Sequence, residues 1–286
     1  MRQALRLHFD YDSFELSSKS AELLAAFRTV FPEDTLTPDN PAAEQSYHSI
    51  EISETGGVFQ IEGESPSLIA SSFEEIAYAV MRIMSDSFVS HVSEEQMVMH
   101  AATAVFGSTA VLFSGSSGSG KTSLALAFSE FDGFVGDECA YINVPSATVR
   151  HEAFPFQIKE CNVDMTSRYG AGAKLDVYED AVGEASYLSL DVLHRRTEKR
   201  IPISAVVFPT YGSGNEPCSI ARISPTELPE LILGSLIGPA EPSSALATFL
   251  SMCGSHGIRF YKAAYSDASE CAETLYEFLE KERQRR

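Results

Sequence analysis

The chain has 286 residues, enough for one good-sized core and a smaller companion. Forty acidic against twenty-one basic residues leave a formal charge of −19, which repels phosphate backbones and anionic lipid and argues against nucleic acid and membrane surfaces as partners. The five cysteines, Cys139, Cys161, Cys218, Cys253 and Cys271, are odd in number and lack a CxxC pair, a pattern expected of free thiols in a reducing compartment.

The opening MRQALRLHFDYDSFE has no continuous apolar core, and no later stretch has the roughly 18 apolar residues that spanning a bilayer needs, so the expected location is cytoplasmic. Residues 1–70 alternate polar and apolar in short pieces, Leu5 to Phe9 and Ser49 to Ile61, around the turn-prone stretch Pro32 to Pro41. Ser72-Phe73-Glu74-Glu75 has the form of a capping box. Ile76, Ala79, Val80, Ile83 and Met84 follow at helical spacing. These features predict a small N-terminal α+β domain with a linker helix over 1–92 and a second domain over 93–286.

From Met97 the pattern changes. His100 to Val105 and Thr109 to Phe113 are two strand-like runs around the turn Phe106-Gly107-Ser108, which predicts a hairpin. Ser123 to Phe131 places Leu124, Ala127 and Phe128 on one helical face, and Gly133 ends that helix. Phe134 and Val135 open a short strand running into Gly136-Asp137-Glu138. A second hairpin is expected from Cys139 to Val144 and Thr148 to Phe156, then a strand from Ile203 to Phe208 after the polar region Arg168 to Arg200. Helices over Pro225 to Leu233 and Ser244 to Met252, a strand from Ile258 to Ala264 and an amphipathic helix from Asp267 to Arg286 complete the order.

Between the first hairpin and its helix lies Gly115-Ser116-Ser117-Gly118-Ser119-Gly120-Lys121-Thr122, followed by Ser123. The pattern G-x-x-x-x-G-K-[ST] between a strand and a helix is a specific sign of a loop that binds a nucleoside triphosphate. Its glycines let successive amides face phosphate oxygens, and the helix adds its positive end. Lys121 is expected to reach the β- and γ-phosphates, and Thr122 to offer a hydroxyl to Mg²⁺. ATP is the expected nucleotide, since no N-K-x-D-like guanine reader is present.

Asp137 and Glu138 follow Lys121 by sixteen and seventeen positions, a return short enough to imply a mixed sheet with the acid pair beside the loop. One carboxylate can then hold the metal while the other accepts a proton from an attacking hydroxyl.

The run His100-Ala101-Ala102, Val111 to Thr122 and Phe134 to Glu138 resembles the core of the HPr kinase/phosphorylase family over roughly forty residues. The nucleotide domain of that family is related in fold to phosphoenolpyruvate carboxykinase. The resemblance implies an α/β chain with a P-loop nucleotide domain of that type around a mixed sheet. It implies a Mg²⁺- and ATP-dependent kinase acting on a serine-type hydroxyl of a peptide, protein or small molecule. Asp137 matches the proton-handling aspartate, Glu138 a metal ligand, and His100 a histidine close to both; the family's hexamers imply self-association. The chain departs from the family in carrying Glu138 rather than Asp and Thr122 rather than Ser. It lacks the C-terminal signature segment and the usual N-terminal domain, so it stands closer to divergent HPr kinase-like proteins, some of which resemble peptide-modifying kinases. A different class, a nucleotide-dependent sensing module that transfers nothing, uses the same loop.

Of the remaining candidates, His100 can tune the proton affinity of Asp137. Lys159 follows a strand-like run that can deliver an ammonium to a phosphate or an acidic substrate group, and Arg195, Arg196 and Arg200 form the one basic cluster, able to clamp transition-state charge or an acidic peptide. His151, His194 and His256 show no metal-ligand spacing with the cysteines.

Overall fold

The computed structural model describes residues 2–9, 12–36, 48–62, 68–90, 92–93, 95–159, 168, 174–179, 183–196, 198, 200–212, 217–224, 226–237 and 241–285. Much of the turn-prone stretch ending at Pro41, together with Cys161 and Pro225, falls outside them. The chain is a mixed α/β protein that divides into two compact units, Met1–His91 with Glu152–Val192, and Val92–His151 with Leu193–Arg286.

In the first unit, strands β1 (Gln3–His8), β2 (Ser13–Ser18), β3 (His48–Thr55), β4 (Val58–Glu62) and β5 (Leu68–Ala70) form a sheet in sequence order. Every pairing is antiparallel except the parallel β2–β3 pair. Helix α1 (Ala21–Val30) starts at Ser20, whose hydroxyl accepts from the Leu23 amide, and the short α2 (Glu33–Leu36) follows. Helix α3 (Phe73–Ser90) shows the expected cap: Ser72 Oγ accepts from the Glu75 amide at 3.2 Å. The Glu75 carboxylate returns to the Ser71 amide at 2.7 Å, one residue earlier than the usual box.

Residues 152–192 were expected in the second domain and instead belong to this unit. The reason lies in its core. Strands β11 (Phe156–Lys159), β12 (Lys174–Glu179) and β13 (Gly183–Leu188) form a separate antiparallel sheet, with β12 packed on α1 and α3. Phe154 sits edge-on to Phe88 and Phe31 at centroid distances of 5.6 and 6.0 Å, filling an aromatic cluster that also takes in Phe9 and Phe14.

The second unit is built on a nine-stranded mixed sheet. Strands β6 (Gln96–Phe106) and β7 (Thr109–Ser114) form the first hairpin, and both read as nearly continuous apolar runs because both faces are buried. Helix α4 (Lys121–Asp132) leads into β8 (Phe134–Gly136), and β9 (Cys139–Asn143) with β10 (Thr148–Arg150) forms the second hairpin, shorter than expected. Both β8 and β9 pair antiparallel with β6.

After β14 (Ile201–Tyr211) and β15 (Ser219–Arg222) come α5 (Leu228–Leu233), β16 (Leu236–Ile237), α6 (Pro242–His256), β17 (Arg259–Tyr265) and α7 (Ala268–Gln284). Strands β7, β14 and β17 are neighbours and run parallel, so their carboxyl ends reach the same edge of the sheet. The α7 cap is Asp267, accepting from the Glu270 amide at 2.9 Å.

Two of the cysteines expected as free thiols, Cys218 and Cys271, are joined as a disulfide with a Cα separation of 5.1 Å. Spacing along the chain could not show this, because the two residues are 53 positions apart, one just before β15 and the other in α7. Cys139 and Cys253 remain thiols, and burial pushes the Cys253 thiol up to about 12. Among the described residues no helix is long and apolar enough to cross a membrane.

Candidate active site

The hairpin delivers the chain from β7 into the glycine loop, and Ser114 Oγ pins that exit by donating to the His100 carbonyl at 2.9 Å. Gly118 and Gly120 adopt φ values of 79° and 91°, a left-handed region that side chains rarely tolerate. The loop closes on itself through Ser119 N–H to Ser116 O at 3.2 Å, then turns into α4 at Gly120.

No side chain caps α4, and its first turn carries no acidic residue. Its first amides are therefore left without an acceptor from their own cap, which is the condition for binding an anion there. Lys121 is largely buried and folds back over the loop, donating to Gly115 O at 3.0 Å and Ser116 O at 3.2 Å. Ser119 Oγ is sealed from solvent with no hydrogen-bond partner, and the space beside Gly118 is open. A polyphosphate tail fits this set: it supplies acceptors for the start of an uncapped helix, for the orphaned Ser119 hydroxyl and for the ammonium group.

Strand β6 is the ruler that sets the acid pair against this loop. Ala101 lies opposite Ser114 at the end of β7, and the Ala101 amide donates to the Glu138 carbonyl at 3.2 Å, so loop and acids share one rung. Asp137 is buried, and Thr122 Oγ1 donates to its Oδ2 at 2.9 Å. Glu138 takes φ 66°, and its Oε2 lies 3.4 Å from His100 Nδ1. A non-glycine residue held in this conformation stores strain of about 1–3 kcal/mol, a cost tolerated mainly at functional positions. The left-handed turn gives the two consecutive carboxylates different partners.

This pairing differs from the expected one. The family resemblance sets Glu138 with Thr122 on the metal side and His100 close to both acids; the geometry brings Thr122 to Asp137 and His100 to Glu138. No sequence pattern reveals a positive φ at a glutamate, and that backbone feature makes the exchange.

His151 is a part of the site that the sequence reading set aside. Its ring packs on Gly136, where any Cβ would collide with it, and Thr103 Oγ1 lies 2.7 Å from its Nε2. Its Nδ1 is sealed from solvent, although the residue as a whole keeps some surface. Burial drives its pKa down to about 3, against a smaller opposing pull from the Asp137 backbone. The neutral ring thus acts as a wedge behind the turn that carries Asp137.

The carboxyl ends of β14 and β17 supply two tyrosines. Tyr211 N–H donates to Ser119 O at 3.0 Å, and Gly212 N–H to Tyr265 O at 2.9 Å. Tyr265 OH donates to Gly120 O at 2.8 Å and occupies the volume that a Gly120 side chain would need. Burial raises the Tyr265 phenol well above its usual range, which keeps it a donor.

Lys159 is on β11 of the first unit. Arg196 pairs with Glu198 and donates to the Asp132 carbonyl at 3.2 Å, at the opposite end of α4 from the loop. Twelve residues of helix put that end about 18 Å from Lys121, too far for Arg196 to clamp phosphate there. Arg195 forms a bridge with Phe134 near the same end, and Arg200 is exposed ahead of β14. Among the described residues no group of three or more His, Cys, Asp or Glu could hold a metal by itself, so a cation here would need hydroxyl and phosphate oxygens as well. No protein-family model matches the chain, and no curated protein matches it.

Proposed function

We propose that the chain is an ATP-dependent kinase of the HPr kinase-like kind, transferring the γ-phosphoryl group to a serine-type hydroxyl, with residues 115–123 as its nucleotide loop. The observation that carries this reading is the 2.9 Å contact between the Thr122 hydroxyl and the Asp137 carboxylate at the start of an uncapped helix. It brings an oxygen pair suited to Mg²⁺ to the phosphate cradle.

When bound, magnesium-ATP supplies the phosphoryl group and the cation that offsets its charge. Thr122 and Asp137 would hold the metal side of the site. Lys121, now resting on loop carbonyls, exchanges them for phosphate oxygens. Glu138 takes the proton of the acceptor hydroxyl, and His100 at 3.4 Å steadies the carboxylate that does so. This division reverses the roles that family resemblance alone assigns to the two acids. It is supported by which partner each acid touches.

The test is incubation with γ-labelled ATP and Mg²⁺ against serine-containing peptides, free serine and a cell lysate. A kinase moves label into an acceptor, and Glu138→Gln abolishes transfer while sparing ATP binding. A protein that binds ATP yet labels nothing under any of these conditions is the sensing module instead.

A further inference from the structure

The parallel strands β7, β14 and β17 end together, and ligands of open α/β sheets sit outside such carboxyl ends. At β7 that position is the phosphate loop, and at β17 it is Tyr265, buried and tied to Gly120 O. At β14, between them, it is Tyr211, which is 55% exposed.

Three observations fix Tyr211 beside the loop. Its amide donates to Ser119 O at 3.0 Å, and its Cβ lies 3.2 Å from where a Cβ on Gly120 would stand. Its ring meets the Tyr265 ring edge-on at a centroid distance of 5.6 Å. The inner aromatic braces the loop, and the outer one, held by that brace, keeps free surface next to the phosphate cradle. Its register partner on β17 is Tyr265 itself, so neither ring can shift without disturbing the other.

We propose that Tyr211 is the platform on which the nucleoside base stacks, a deepening of the nucleotide reading above and dependent on it. A phenol face offers every base a π surface with little discrimination among them, so the platform contributes affinity rather than base choice. The phosphate loop then anchors one end of the ligand and Tyr211 the other.

The experiment compares binding of ATP and of inorganic tripolyphosphate, both with Mg²⁺, to the wild-type chain and to Tyr211→Ala, Tyr211→Phe and Lys121→Ala. The platform predicts that Tyr211→Ala weakens ATP about 5- to 100-fold, leaves tripolyphosphate within about twofold, and is rescued by Tyr211→Phe. Equal weakening of both ligands by Tyr211→Ala makes Tyr211 a brace for the loop and overturns the proposal, as does no weakening of ATP. If Lys121→Ala leaves both ligands bound as in the wild type, or the wild type binds neither, the phosphate-loop reading itself fails and the platform with it.

Discussion

The Thr122 hydroxyl and the Asp137 carboxylate meet at 2.9 Å, although a whole helix and strand separate them in sequence. One residue opens α4 and the other follows β8, so the contact fixes the short helical return against the sheet as well as pairing two oxygen donors. The two acids thereby have different partners, and the separate tasks proposed for them are ones that substitution can tell apart.

Asp137→Asn removes a charge from the metal side, and the Mg²⁺ concentration needed for half-maximal activity is expected to rise tenfold or more. Glu138→Gln removes the proton acceptor, and turnover is expected to fall about 10²- to 10⁴-fold with an unchanged Mg²⁺ requirement. Titrating Mg²⁺ against initial rate for both variants checks the assignment; the opposite pattern would restore the order that family resemblance suggests.

Gly120 is a position where both backbone and space demand glycine. Its φ of 91° and the adjacent Tyr265 hydroxyl leave no room for a methyl group. Gly120→Ala is expected to lower the melting temperature by several degrees and to abolish nucleotide binding, whereas Gly118→Ala meets no neighbour and pays only backbone strain of roughly 1 kcal/mol. Thermal unfolding of the pair with and without ATP separates the two effects.

His151 gives stability a particular dependence on pH. The folded chain keeps this ring neutral down to about 3, while an unfolded chain protonates it near 6.5. Because the folded pKa is depressed, the stability owed to the neutral ring is complete above about 6.5 and is lost as pH falls toward 3. The unfolding free energy from denaturant titrations between pH 7 and 4 is expected to drop with a slope approaching about 1.4 kcal/mol per unit from this residue. His151→Gln removes that part of the slope; an identical pH profile in the variant would show that His151 does not cause it.

The Cys218–Cys271 bond closes a segment of 53 residues, which in a chain-entropy account contributes on the order of 4 kcal/mol. Reduction, or Cys218→Ser, is expected to lower the melting temperature of the oxidised protein. Intact mass after alkylation with and without reductant shows directly whether those two thiols are protected.

The loop and the order of strands around it were legible in the sequence because each rests on local rules. The glycine loop from Gly115 to Thr122 shows its place between strand and helix by spacing, and β6, β7, α4 and β8 show theirs by periodicity and by the breaks at Gly107 and Gly133. What could not be read depends on contacts made across the sheet. The exchange of partners between Asp137 and Glu138 follows from one left-handed backbone angle, and the place of Tyr211 beside the loop follows from β14 lying parallel between β7 and β17. Residues 152–192 joined the first unit through Phe154 and β12, neither of which carries a local signal of destination. His151 looked inert by metal-ligand spacing, and only its packing on Gly136 gives it a task.

The most direct test of the central claim is phosphorus NMR of ATP and Mg²⁺ titrated with the wild-type chain and with Lys121→Ala. A phosphate cradle at residues 115–122 predicts that the β and γ resonances shift or broaden with the wild type and stay near their free positions with the variant. Resonances that remain at their free positions in the presence of the wild type, or that respond equally to both proteins, would contradict it.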